Sequence, residues 1–200
     1  RSAKQFRTFK VVGHEYVEKI CELEDCYLPG EESLVGWDGI ITAVGPRNAA
    51  QLGSKLGMAD CPVLMFENDS GIPKKLIELT GKEDIYFGVP DVISSNTASQ
   101  EMLKQDSLSL ITEDGYCFAD ERAANLGGRI QYVTEEELGK QWLAKMYIHN
   151  TPHCIAAYLG ACQGYSFLHE GMVNKKIHTI VEGAMFEMGA AIMKGFSIEN

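Results

Sequence analysis

Gly39-Ile-Ile-Thr-Ala-Val44 decides the fold of this chain. It is short, apolar and β-branched, with no alternation of polar and apolar residues. A strand reads this way when both of its faces are buried in a parallel sheet. The same signature returns at Cys61 to Phe66 and at Asp84 to Val89. Between these runs lie helix-spaced segments. Asn48 to Leu56 carries Ala49, Leu52 and Leu56 on one face, and Ile72 to Leu79 has Pro73 in its first turn. Strands alternating with short helices define βαβ units. Right-handed crossovers align the strand ends Val44, Phe66 and Val89 along one edge, where ligands bind in open α/β sheets. Asn68 and the turn Ala43-Val44-Gly45-Pro46 fall at that edge by this rule alone.

Outward from this centre the pattern changes. Phe6 to Val12 and Tyr16 to Glu22 read as extended pieces of a hairpin, and Glu24 to Gly36 is turn-rich and acidic. Pro90 to Gln105 is polar and reads as a loop or linker. Ser107 to Ile111, Tyr116 to Ala119 and Arg129 to Val133 read as short strands, with Asp114-Gly115 as a hairpin turn. Thr134 is placed to cap a helix opened by Glu135, Glu136 and Glu137. A final helix is expected over Val173 to Met193, with Val173, Ile177, Ile180, Val181, Ala184, Met185, Met188 and Ile192 at helical spacing and its methionines filling core. The expected fold class is α/β: the second part of a Rossmann-like parallel sheet, a small strand insertion and a mostly helical substrate domain. The expected division is 1–104, a partial dinucleotide-binding domain, and 105–200, the strand insertion and the start of the helical domain.

Composition narrows the partners. A net charge of −10 over 200 residues disfavours a nucleic-acid backbone or an anionic membrane surface. No apolar run approaches the length of a membrane span. The six cysteines are scattered without a Cys-x2-Cys pair, so they read as reduced, buried thiols of a cytoplasmic protein rather than a disulfide framework or a zinc site. Histidine spacing gives no metal motif. His14, His169 and His178 read as surface residues, and His149 as packed or solvated. Oligomeric state is not legible.

Chemistry concentrates in Lys145-Met-Tyr-Ile-His-Asn150-Thr-Pro-His153. An amine, a carboxamide and an imidazole suit moving a proton on and off an alcohol oxygen while that oxygen becomes a carbonyl. Lysine loses its proton readily when desolvated, asparagine donates to a developing oxyanion, and histidine can donate or accept at neutral pH. Asn150 and His153 share a helix face, whereas Lys145 lies five residues before Asn150 and points elsewhere on a regular helix. Pro152 reads as the first position of a new helix with Thr151 as its N-cap, whose positive end would favour an oxyanion and depress the lysine pKa. From the residues alone the same triplet also reads as a core helix pair with a snorkelling lysine, a capping asparagine and a satisfied histidine.

Lys-x4-Asn-x2-His followed by Ala157-Tyr-Leu-Gly160 resembles the signature of the polyol-specific long-chain dehydrogenases. Thr42-Ala-Val-Gly-Pro46, Glu67-Asn68 and Val181-Glu-Gly-Ala-Met185, with Glu187 and Gly189, resemble further family stretches in the same order. The resemblance runs from about Phe9 to Lys194. It implies a nicotinamide-dependent oxidoreductase that interconverts a sugar alcohol and a ketose, with mannitol 1-phosphate and fructose 6-phosphate as the first pair. Lys145 would be the general base, Asn150 and Asn68 would hold the reacting oxygen, and His153 would orient a substrate hydroxyl. Ala43, Val44, Gly45, Pro46 and Asn68 would face the cofactor, NAD or, as a second choice, NADP. Lys140 and Lys145 are the cations available to a substrate phosphate. The family's Gly-x-Gly-x-x-Gly turn is not found in the sequence; the resemblance implies that it lies before Arg1 and that a helical region follows Asn200. Ser95, Asn96 and Ser99 stand where the family carries an Asp-Arg pair. The alternative reading is a truncated or noncatalytic accessory protein that keeps the fold and lacks cofactor binding.

Overall fold

The computed structural model describes residues 4–28, 30–92, 94–95 and 98–195. Strands β1 (Gln5–Val12) and β2 (Glu15–Glu22) form the expected hairpin, paired antiparallel along their whole length. Strands β3 (Ile40–Thr42), β4 (Val63–Phe66) and β5 (Ile85–Asp91) are adjacent and parallel, as the apolar runs require. Helices α1 (Pro46–Gln51), α2 (Gly53–Leu56) and α3 (Ile72–Thr80) connect them.

The absence of alternation in β4 has the expected cause. Val63 and Met65 pack with Ala49, Leu56, Ile72, Leu76 and Ile85 on one face. Leu64 packs with Ala119 and Ala123 on the other. Val63, Leu64 and Met65 are all fully buried, each worth about 1.5–3 kcal/mol relative to exposure.

Between residues 90 and 133 the chain departs from expectation. Pro90 and Asp91 continue β5, β6 (Ser94–Ser95) follows, and α4 (Gln100–Gln105) occupies the expected linker. Ser99 caps α4 by accepting from Met102 N at 3.2 Å. Asn96 lies outside the described residues. Strands β7 (Leu110–Glu113) and β8 (Tyr116–Asp120) do not form a hairpin. β7 pairs with β1 and β6, whereas β8 pairs antiparallel with β5. Asp114-Gly115 is therefore a crossing between two sheets, ordered β2-β1-β7-β6 and β3-β4-β5-β8-β9, with β9 at Gln131–Val133. Gly115 is required there, since a Cβ on it would sit 2.2 Å from the Asp91 carbonyl oxygen.

Two compact units result, Arg1–Tyr132 and Val133–Asn200. The division falls well beyond residue 104 because β7 and β8 pair with strands of the first unit.

The second unit is helical: α5 (Glu135–Ala144), a π-helical turn (Lys145–Asn150), α6 (Thr151–Cys162), α7 (Leu168–Val173) and α8 (Lys175–Gly195). Thr134 caps α5, accepting from Glu137 N at 3.3 Å. The last helix starts later than its apolar pattern implies. Asn174 is extended, and its Oδ1 accepts from Lys176 N (3.0 Å) and Ile177 N (3.4 Å), so it caps α8 and separates it from α7. Val173 is consequently 83% exposed, while Ile177 and Val181 form the core with Ala156.

The thiols also differ from expectation. Cys61 is buried, Cys21 and Cys117 are half-buried, and Cys26, Cys154 and Cys162 are exposed. The last two lie on α6, whose apolar composition leaves more apolar side chains than its packed face can cover.

Candidate active site

The segment Lys145 to His153 belongs to one unbroken helical path from Glu135 to Cys162. Asn150 (φ −70°, ψ −42°) and Thr151 (φ −65°, ψ −44°) are both right-handed helical. Thr151 is therefore not an N-cap, and no helix N-terminus opens at Pro152. The expected dipole effect on Lys145 has no source there.

The proline is accommodated differently. In a regular α-helix its ring would press on the carbonyl four residues back, Ile148, and it offers no donor. The chain widens just before it. Thr151 N–H donates to the Met146 carbonyl, five residues back, and Thr151 Oγ1 donates to the same oxygen at 2.8 Å. Such insertions are rare and concentrate at functional sites.

This widening alters which residues share a face. At about 100° per residue, Lys145 and Asn150 would stand about 140° apart on a regular helix. A turn closed from i to i+5 stacks them instead. Asn150 and His153 then follow at the ordinary spacing of three along α6. The π-turn thus brings backbone position 145, which sequence spacing alone placed apart, into line with positions 150 and 153.

Lys145 and Asn150 are half-buried, and His153 is exposed. Asn150 Nδ2 donates to Met146 Sδ at 3.3 Å. The His153 ring packs edge-on against His149, with centroids 4.8 Å apart. Lys140 is committed elsewhere, since its Nζ pairs with Glu136 Oε1 at 2.9 Å. That hydrogen bond holds the Lys140 ammonium above its usual pKa, so it stays charged. His178, expected to lack a partner, pairs with Glu182 at 3.2 Å, one helical turn away.

In the first unit, Ala43, Val44, Gly45 and Pro46 turn from β3 into α1, and Asn68 follows β4, its parallel neighbour. All five sit at the carboxyl edge of the sheet. The residue beside them is Glu67, which the sequence shows only as part of the Glu67-Asn68 stretch. It is buried, 3% exposed. Its Oε1 accepts from Thr42 Oγ1 and from Val44 N, each at 3.1 Å. Asn48 Nδ2 donates to the Val44 carbonyl at 2.9 Å from the other side. Gly45 sits at φ +85° with open space where a Cβ would be. The turn is thus tied by side-chain hydrogen bonds, and space is open beside Gly45. A groove of about 470 Å³ lined by Asp38, Gly39, Ile41, Asn125 and Leu126 lies at the amino end of β3 and includes none of these residues. Among the described residues, no cluster of His, Cys, Asp and Glu could hold a metal ion. No described helix is long and apolar enough to cross a membrane.

The three parallel strands, with a structured turn and an amide at their carboxyl edge, form a Rossmann-like α/β fold. The structure is similar to that of 2-dehydropantoate 2-reductase from Geobacter metallireducens GS-15, with a TM-score of 0.51 at 12% identity over 94% of this chain and 74% of that one. The sequence similarity is to the mannitol dehydrogenases. Residues 140–200 match the family model described as the mannitol dehydrogenase C-terminal domain. Over 180 residues the chain is 26% identical to mannitol-1-phosphate 5-dehydrogenase of Exiguobacterium sp. strain AT1b, covering 81% of this chain and 46% of that protein. The chain therefore spans about half the length of the curated relative it matches.

Proposed function

We propose that this chain forms part of a nicotinamide-dependent polyol dehydrogenase that oxidises a sugar alcohol to a ketose in the cytoplasm. Mannitol 1-phosphate and fructose 6-phosphate are the first pair to test, with NAD as cofactor. One observation carries the reading: the π-turn stacks Lys145 on Asn150 within the residues that match the mannitol dehydrogenase C-terminal domain.

Lys145 Nζ takes the hydroxyl proton of the substrate. Asn150 donates to that oxygen as it gains carbonyl character. His153 accepts from or donates to a neighbouring hydroxyl and fixes the orientation of the carbon chain. The turn Ala43-Val44-Gly45-Pro46 fits the cofactor ring, because Gly45 leaves its outer surface open and Glu67 fixes the Val44 amide beneath it. When bound, the nicotinamide supplies the hydride chemistry.

The test is turnover of Lys145→Ala in the complete gene product, assayed by mannitol 1-phosphate oxidation with NAD. The expected loss is about 10²–10⁴-fold in kcat, with the thermal midpoint nearly unchanged. A wild-type rate would remove Lys145 from the mechanism.

A further inference from the structure

Met146 is the second residue of the π-turn, and both of its acceptor atoms are used. Its carbonyl oxygen accepts twice from Thr151, through N–H and through Oγ1 at 2.8 Å. Its thioether accepts from Asn150 Nδ2 at 3.3 Å. The first pair of bonds commits Thr151 to the carbonyl five residues back rather than to Tyr147, four back. The third holds the Asn150 amide by one of its two N–H groups. Pro152 explains why the turn widens. It does not explain why the widened turn keeps one register or why the amide keeps one orientation.

Resting on the reading of Lys145 and Asn150 as the proton-handling pair, we propose that Thr151 and Met146 are positioning residues that lock the π-turn and aim the Asn150 amide. Neither acts on substrate. Thr151 supplies the second hydrogen bond that fixes the i-to-i+5 register, and Met146 supplies a soft acceptor that tolerates the wide turn. Loss of the hydroxyl weakens the register that stacks position 145 over position 150. Loss of the sulfur frees the amide.

The experiment compares Thr151→Val, Thr151→Ser and Met146→Leu in the complete gene product, using the oxidation assay above. Thr151→Val keeps the β-branched shape and removes the donor, and it is expected to lower kcat about ten- to a hundredfold, as small misplacements do. KM for NAD should hold, and the pH profile of kcat should shift. Thr151→Ser should restore kcat to within about threefold of wild type, and Met146→Leu should give an intermediate loss. A second readout needs no activity: the NMR coupling across the hydrogen bond from Thr151 N–H should reach the Met146 carbonyl carbon in the wild type. In Thr151→Val part of it should move to Tyr147. Wild-type kcat and pH profile in Thr151→Val, with Lys145→Ala inactive, would overturn the positioning role alone. A wild-type rate in Lys145→Ala would overturn the underlying reading and this role with it.

Discussion

Glu67 sets the geometry of the turn at the carboxyl edge of the sheet through a single oxygen. Replacing it with alanine leaves the Thr42 hydroxyl and the Val44 amide without their acceptor. Thr42 is buried, and an orphaned buried donor costs about 1–3 kcal/mol, so Glu67→Ala should lower the urea midpoint clearly and raise KM for NAD. Glu67→Gln keeps an acceptor and should retain most of the stability. Equal midpoints for the two variants would show that the carboxylate does not hold the turn. Asp120 is a second buried carboxylate with a legible role. Burial pushes its pKa up, but hydrogen bonds from the Arg122 side chain and backbone outweigh that and hold it below the usual carboxylate value. A pKa lowered in the folded state gives stability that is present above the unfolded value and lost as pH falls through the folded one. The urea midpoint should therefore fall more between about pH 7 and about pH 3 in the wild type than in Asp120→Asn. Parallel slopes would contradict this.

At the scale of elements, the parallel strands were fully legible because burial on both faces leaves its mark on composition. The carboxyl-edge positions of Asn68 and Ala43 to Pro46 followed from that. The Thr134 cap was legible from one side chain and its acidic followers. Asn174 offered a comparable signal, but the uninterrupted apolar spacing through Val173 obscured it. The Asp114-Gly115 pair failed for a different reason. Local turn chemistry is shared by hairpins and by crossings, and only long-range pairing distinguishes them. Gly115→Ala tests the crossing, since its Cβ would meet the Asp91 carbonyl oxygen at 2.2 Å. The expected cost is about 1–3 kcal/mol, typical of overpacking, read as a lower denaturant midpoint. An unchanged midpoint would mean that the strands separate there at little cost. The π-turn was the least legible element. The spacing of five between Lys145 and Asn150 was visible, but periodicity arguments assume the regular helix that Pro152 disrupts.

For the whole molecule, charge and apolar exposure oppose each other. The chain carries a net charge of −10. Its helical unit nevertheless exposes Tyr158 at 76%, Phe186 at 79% and Val173 at 83%. Like net charge opposes association of copies at low salt, and a shorter Debye length weakens that opposition. Sedimentation velocity should therefore show a larger mass at about 0.5 M salt than at about 0.05 M. A single monomeric boundary at both would show that these side chains do not drive association.

The two sheets of the first unit are interleaved along the chain, and this constrains how it is made. β1 is flanked by β7, and the Lys10–Asp114 ion pair beside that junction spans 104 residues. During synthesis the side of β1 that pairs with β7 stays open until the ribosome has delivered β7. Such late closure slows maturation and leaves the nascent segment open to wrong pairings.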